Sequence, residues 1–290
     1  METIHTVNWM KQVARQARAD EHMLGLVPTM GALHEGHFSL IREAKRQCSP
    51  VVVSIFVNPT QFGPAEDFIQ YPRPLDRDRA ALEELRVDYL FTPTVEEMYP
   101  KGFHTAVVVE GLSDRLEGKA RPGHFRGVAT VVLKLLEIVQ PRVAFFGRKD
   151  AQQARVIRQM VRDLDLEASI EVCPIVREQD GLAISSRNAY LNGEERRSAT
   201  ALYQSLEAVR GEVKRGQRDT AQLLAALGSV IDTEPGVRLD YAEIVDADTL
   251  ERVMRLRGDC YALVAAMVGN TRLIDNALIE EEGGAFRVTI

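Results

Sequence analysis

Six apolar runs of strand length, at residues 23–29, 51–57, 87–93, 105–111, 142–147 and 169–176, alternate with segments whose apolar residues recur every three or four positions. The runs are continuous rather than alternating in polarity. That is the pattern of parallel strands covered on both faces, because a strand with one wet face would place a polar side chain at every second position. The intervening segments 38–48, 74–86, 127–140 and 151–164 carry the period of helices with one buried face. Strand and helix in alternation predict an α/β fold, a Rossmann-like doubly wound parallel sheet. Beyond residue 176 the character changes. Residues 193–216 read as one long amphipathic helix, 218–233 as another, and 237–246 and 260–279 as strands of a smaller C-terminal α+β domain. The expected organisation is therefore a Rossmann-like domain over 1–175 and a smaller domain over 176–290, in line with a chain longer than a usual single domain.

Charge and cysteine content narrow the partners. A net charge of −6 leaves no general surplus of Lys and Arg for counterion release on nucleic acid, so no nucleic-acid partner is expected. Cys48, Cys173 and Cys260 are odd in number, far apart and without metal-type spacing, and read as reduced core thiols. The charged N-terminal segment lacks the apolar stretch of a signal peptide, and no run reaches the roughly 18 apolar residues of a membrane span. No membrane partner and a cytoplasmic location are expected.

In open α/β sheets ligands bind beyond the carboxyl ends of strands, where loops feed helix N-termini. The first long run ends in Val-Pro-Thr-Met-Gly-Ala-Leu-His-Glu-Gly-His, residues 27–37. Gly31 and Gly36 let backbone approach a ligand closely, and a helix opening near His37 directs unpaired N–H groups and its positive dipole end at an anion. His34 and His37, three apart, share a face and can donate to phosphate oxygens. A pair of solvated or capping histidines is the plainer alternative, and a metal site would need a third ligand.

Other groups sit at the corresponding edge. Asn58 and Gln61, past the second run, offer neutral amides that hydrogen-bond a hydroxy acid while leaving its carboxylate nucleophilic. Lys149, after the 142–147 run, offers a mobile cation, with the Gln153 amide further along. Ser185, Ser186 and Arg187 bring two hydroxyls and a guanidinium fork together after the Asp180-Gly181 turn. Taken singly, each of these has an ordinary structural reading as a turn, a solvated lysine or a helix cap. Asp76 and Asp78 read as solvated carboxylates on a first helical turn, with magnesium binding as the alternative. Arg126 is a further candidate phosphate contact, and His124 reads equally well as structural.

His-Glu-Gly-His after the first strand resembles the His-x-Gly-His signature of nucleotidyltransferases related to class I aminoacyl-tRNA synthetases. Together with the stretches 54–73, 121–135, 145–153 and 180–191, it is similar to the pantoate–β-alanine ligase family. The resemblance implies an enzyme that condenses pantoate with β-alanine at the expense of ATP through a pantoyl adenylate. It assigns ATP contacts to Met30, Gly31, Ala32, Leu33, His34, Glu35, Gly36 and His37. Further ATP contacts fall on Gly147, Arg148, Lys149 and Asp150, on the backbone of Val176 at the adenine, and on Ile184, Ser185, Ser186 and Arg187. It places Gln61 and Gln153 on pantoate and makes His37, His34 and Lys149 catalytic, with His37 the proton donor. It also implies Mg²⁺ with no protein ligands assigned, a homodimer, and hinge closure by the C-terminal domain. Ala151 departs from the family, where an aromatic residue is usual. Two other chemistries stay open on the residues alone: adenylylation of a phosphate ester, and nucleotide binding without catalysis. A metallohydrolase is a third, distinguished by needing no ATP.

Overall fold

The computed structural model describes residues 1–64 and 66–290, which divide into two compact units: 1–148 with 152–174, and 149–151 with 175–290. In the first unit the strands are β1 (Glu2–Ile4), β2 (Gly25–Thr29), β3 (Val51–Ile55), β4 (Tyr89–Phe91), β5 (Val143–Gly147) and β6 (Ser169–Cys173). They lie in the order β1-β4-β3-β2-β5-β6, every pairing parallel. Connecting them are α1 (Val7–Ala19), α2 (Glu35–Gln47), α3 (Leu75–Glu84), the single turns α4 (Val95–Met98) and α5 (Glu117–Ala120), α6 (His124–Val139) and α7 (Ala151–Asp163).

The core forms because the valine-rich strands and the apolar stripe of α2 exclude water from each other. Val27, Val51, Val53 and Phe145 pack against Leu40, Ile41 and Ala44. The strand order has a functional consequence. From β2 the chain steps outward to β3 and β4, then returns to add β5 and β6 on the other flank, so the topological switch lies between β2 and β5. Ligands of doubly wound sheets bind at that crevice.

The second unit pairs β7 (Val237–Asp246), β8 (Cys260–Val268), β9 (Thr271–Glu282) and β10 (Ala285–Thr289) in an antiparallel sheet ordered β10-β9-β8-β7. The helices α8 (Gly193–Ser198), α9 (Ala201–Lys214) and α10 (Thr220–Asp232) complete it. Leu202, Leu206, Leu223 and Leu227 are buried with Val264 and Ile279 in its own core.

Three sequence expectations are corrected. The 105–111 run forms no strand: the Val107 N–H donates to Thr130 Oγ1 of α6 at 2.9 Å, so this stretch lies on a helix. The sheet edge beside β4 is occupied by β1 instead. The helix expected over 193–216 is broken into α8 and α9, and at the break the Thr200 hydroxyl bonds the Arg197 carbonyl at 2.8 Å. Serine and threonine hydroxyls compete for backbone groups in this way. The third correction, Asp78, concerns the site.

Cys48, Cys173 and Cys260 are buried and unpaired by disulfide. Burial raises the Cys48 and Cys260 thiols, and raises Cys173 to about 11 with help from Glu171 and Glu43. Among the described residues, no helix is long and apolar enough to cross a membrane.

Candidate active site

The loop that leaves β2 is built by side chains folding back on its own backbone. The Thr29 hydroxyl donates to Ser54 O at 2.8 Å and accepts the Gly31 N–H at 3.2 Å. Two consecutive residues, Gly31 (φ +82°) and Ala32 (φ +51°), are left-handed. Glycine suits the first, whereas alanine at the second is a strained choice. Asp78 of α3 holds this strained turn. Its carboxylate accepts the Ala32 N–H at 2.7 Å and the Leu33 N–H at 2.8 Å, and it is 1% exposed. Expected as a solvated or magnesium-binding carboxylate, Asp78 is instead the internal anchor of the loop. Burial raises its pKa, against the lowering effect of the two N–H donors and Arg77. Asp76 is exposed.

His34 is the N-cap of α2 and His37 its third residue. The His34 N–H donates to His37 Nδ1 at 3.3 Å, and the ring centroids lie 4.1 Å apart. Because a nitrogen that accepts a hydrogen bond carries no proton, a neutral His37 is left with its proton on Nε2. Gly36 makes room for the histidine: a Cβ there would lie 3.0 Å from the His34 ring, a tight contact. The helix start thus brings two imidazoles, tilted 35° to one another, together with the N–H groups of its first turn.

Gln61 follows β3 in a single 3₁₀ turn, Pro59–Gln61, and is buried. Its Oε1 accepts Asn58 Nδ2 at 3.1 Å and its Nε2 lies 3.1 Å from Met30 Sδ, which joins this turn to the 30–37 loop. Asn58, read as a second substrate amide, is a scaffold residue. Its Nδ2 also donates to Gly127 O at 3.2 Å, while its Oδ1 accepts from Thr60 and from Tyr99 Oη. His124 bonds the Gln61 carbonyl through Nδ1 at 2.8 Å and Arg121 through Nε2 at 3.1 Å. A carbonyl only accepts and a guanidinium only donates, so the neutral Nδ1–H tautomer fits both. Arg121 in turn forks onto Glu66 at 2.8 and 2.6 Å.

Gly127 shows how closely α6 approaches this turn, since a Cβ there would stand 2.3 Å from Thr60 O and 2.6 Å from Gln61 N. We expect Gly127→Ala to displace the turn and to cost about 1–3 kcal/mol in thermal or denaturant unfolding. A second expectation concerns acid stability. Burial opposes ionisation of Glu66, yet its bonds to Arg121 hold the net pKa below the usual carboxylate value. A depressed folded pKa adds stability that is fully present above the unfolded pKa and is lost as pH falls through the folded one. Glu66→Gln should therefore lower the melting temperature at neutral pH, and the gap to the parent protein should close on acidification.

At the other side of the switch point, β5 ends at Gly147, where an added Cβ would meet nothing within 4 Å. Backbone is open to a ligand there. Arg148 is buried. Gln152 is a further scaffold residue: its amide donates to Leu112 O and Arg115 O, both at 2.8 Å, and its Oε1 accepts the Glu117 N–H at 3.0 Å. Gln153 is half-buried and Ala151 is buried at the start of α7.

The first unit thus holds Met30 to His37, Gln61, Gly147, Arg148 and Gln153, with loop 30–37 and Gln61 in contact. Lys149, Asp150, Val176, Ile184, Ser185, Ser186 and Arg187 belong to the second. There, Ile184 N–H bonds Val176 O at 3.0 Å, closing a hairpin that delivers Ser185, whose hydroxyl caps the 3₁₀ turn Ser186–Tyr190 by accepting the Arg187 N–H at 3.3 Å. Among the described residues no group of three or more His, Cys, Asp or Glu is placed to hold a metal ion.

The chain is similar to known proteins over most of its length. Residues 2–278 match the family model described as pantoate-beta-alanine ligase. Pantothenate synthetase of Acidobacterium capsulatum is 58% identical over 265 residues, covering 91% of this chain and 89% of that protein. The crystal structure of pantothenate synthetase from Thermus thermophilus superposes with a TM-score of 0.91 at 47% identity, over 95% of this chain and 98% of that one. The pantoate-beta-alanine ligase of Francisella tularensis, solved in complex with beta-gamma ATP and beta-alanine, gives a TM-score of 0.77 at 36% identity, covering 95% of this chain and 97% of that one.

Proposed function

The chain belongs to the pantoate-beta-alanine ligase family, and from that premise we infer that it condenses pantoate with β-alanine at the expense of ATP through a pantoyl adenylate. A pantoate carboxylate oxygen attacks the α-phosphorus of ATP, the bond to the bridging oxygen breaks, and pyrophosphate leaves. The β-alanine amine then attacks the acyl carbon and AMP departs. No bond to the enzyme is needed at either step. Its contribution is positioning and the neutralisation of charge moving onto phosphoryl oxygens.

The observation that carries this reading is the pinned loop at the switch point. Asp78 fixes residues 32 and 33, and the loop delivers His34 and His37 to the start of α2. With Nδ1 occupied by the His34 N–H, His37 offers Nε2–H to a phosphate oxygen. Met30 to His37 with Gly147, Arg148, Asp150 and Ile184 receive ATP, and the Val176 backbone contacts its adenine. Lys149, Ser185, Ser186 and Arg187 bind the phosphates, while Gln61 and Gln153 hold pantoate. Mg²⁺, for which no protein ligands are assigned, would supply further neutralisation of the phosphate charge when bound with ATP. A homodimer and a cytoplasmic location complete the reading; three buried free thiols suit a reducing compartment. Sedimentation and cell fractionation test these two points.

The direct test mixes the protein with ATP, Mg²⁺ and pantoate, with and without β-alanine, and separates the products. Pyrophosphate should appear without β-alanine, up to the enzyme concentration, and AMP should accumulate only when β-alanine is added. A final product that retains the AMP moiety when β-alanine is present, or an absence of pyrophosphate, would overturn the reading.

A further inference from the structure

Two adjacent polar residues interrupt the apolar stretch 273–279 of β9, and both are nearly inaccessible: Asp275 is 3% exposed and Asn276 1%. Burying such groups is costly unless they are bonded, so their partners show what they are for. Asp275 accepts a fork from Arg177, at 2.7 Å to Oδ2 and 2.9 Å to Oδ1, and also accepts the Asn276 N–H at 2.7 Å. The same guanidinium donates to Gly181 O at 2.9 Å and lies over the Tyr203 ring. The hairpin that joins Val176 to Ile184 is thereby tied to β9. Asn276 Nδ2 donates to the carbonyl of Lys149 at 3.0 Å. Neighbouring positions on one strand therefore hold two stretches far apart in sequence, the turn carrying Lys149 and the hairpin leading into Ser185-Ser186-Arg187.

We propose that Asn276 is a positioning residue for Lys149, and that with Asp275 it sets the Lys149 backbone and the 176–187 segment at a fixed spacing so that the ammonium, hydroxyls and guanidinium meet one triphosphate. The proposal rests on the reading that Lys149 and Ser185–Arg187 bind ATP. Its physical basis is that a flexible lysine reaches a phosphate reproducibly only when its main chain is fixed, and a misplacement of about 1 Å can cost about 100-fold in rate. Neither Asn276 nor Asp275 needs to touch substrate.

A double-mutant cycle on the full-length protein tests it, with pyrophosphate release from MgATP and pantoate as the readout. Asn276→Ala should lower kcat/KM for ATP by about 10- to 100-fold, leave the KM for pantoate within about twofold of the parent, and retain cooperative thermal unfolding. In a Lys149→Ala background the same change should add little, because residues acting as one unit are not additive. Asn276→Ser, which keeps a shorter donor, should recover part of the loss; if the alanine variant does not fold, the serine variant is taken through the cycle. A folded Asn276 variant with parental kcat/KM for ATP overturns the proposal, as does full additivity with Lys149→Ala, the mark of a merely structural role. If Lys149→Ala itself keeps parental kcat/KM for ATP, the underlying reading of Lys149 fails instead.

Discussion

Substituting His37 by alanine should lower single-turnover formation of pyrophosphate from ATP and pantoate by about 10² to 10⁴-fold, the range of a positioned acid/base group. Two losses combine in that variant. The Nε2–H donor disappears, and the His34 N–H at the helix cap loses the Nδ1 acceptor that now receives it at 3.3 Å. The second loss affects orientation of the His34 ring, which packs on His37 with centroids 4.1 Å apart. The chemical step should therefore fall more than ATP affinity does. Rapid-quench measurement of pyrophosphate beside equilibrium ATP binding separates the two, and a variant with near-parental pyrophosphate formation would remove His37 from the proton-donor role.

Asp78→Ala should have the next largest effect, on both folding and rate. It leaves the Ala32 and Leu33 N–H groups without their carboxylate, and each unsatisfied buried group costs about 1–3 kcal/mol. It also releases the left-handed conformation at Ala32, which tertiary contacts must impose. Loop 30–37 should then sample several geometries, with a loss of about 10² in kcat/KM for ATP. Asp78→Asn is the sharper test. It preserves volume and one acceptor oxygen but sets an NH₂ against a backbone donor, so it should unfold at a higher temperature than the alanine variant while remaining catalytically impaired. Parental activity in a folded Asp78→Asn would show that the loop needs no such anchor. Because burial raises the Asp78 pKa, its ionised form is held at a cost that is relieved as pH falls through that raised value. Loop anchoring weakens in the same window, so activity should decline on the acid side before global unfolding begins.

The parts of the fold legible in the sequence are those governed by local pattern. β2, β3, β5 and β6 lie within continuous apolar runs, and α2, α6 and α7 show their stripes, because burial on both sheet faces or one helix face leaves a regular signature. Short or marginal elements left none. β1 spans three residues, of which only Ile4 is buried, and no periodicity can be read from it. The valines at 107–109 have strand propensity, but a strand also needs a partner, and Thr130 took the Val107 N–H. The site divides in the same way. His34, His37 and Gly36 are marked by spacing in one loop, whereas Asp78 acts 45 residues from Leu33 and looks locally like any acidic first-turn residue. Asn58 and Gln152 resemble ligands because both are amides beside the site; only their filled hydrogen-bonding capacity shows them to be scaffold. For Asn276 there was a usable signal, Asp-Asn inside Ile-Asp-Asn-Ala-Leu-Ile, since polar pairs in a buried strand call for partners.

The tripeptide Lys149–Ala151 is grouped with residues 175–290, although the chain on both sides of it belongs to the other unit. Modularity is limited by that threading. A chimera spliced at 174/175 would take its lysine from one parent and Asn276, whose amide seats that lysine's carbonyl, from the other. Recombination between distant relatives should succeed only where both positions are inherited as a matched pair, whatever the quality of the visible seam.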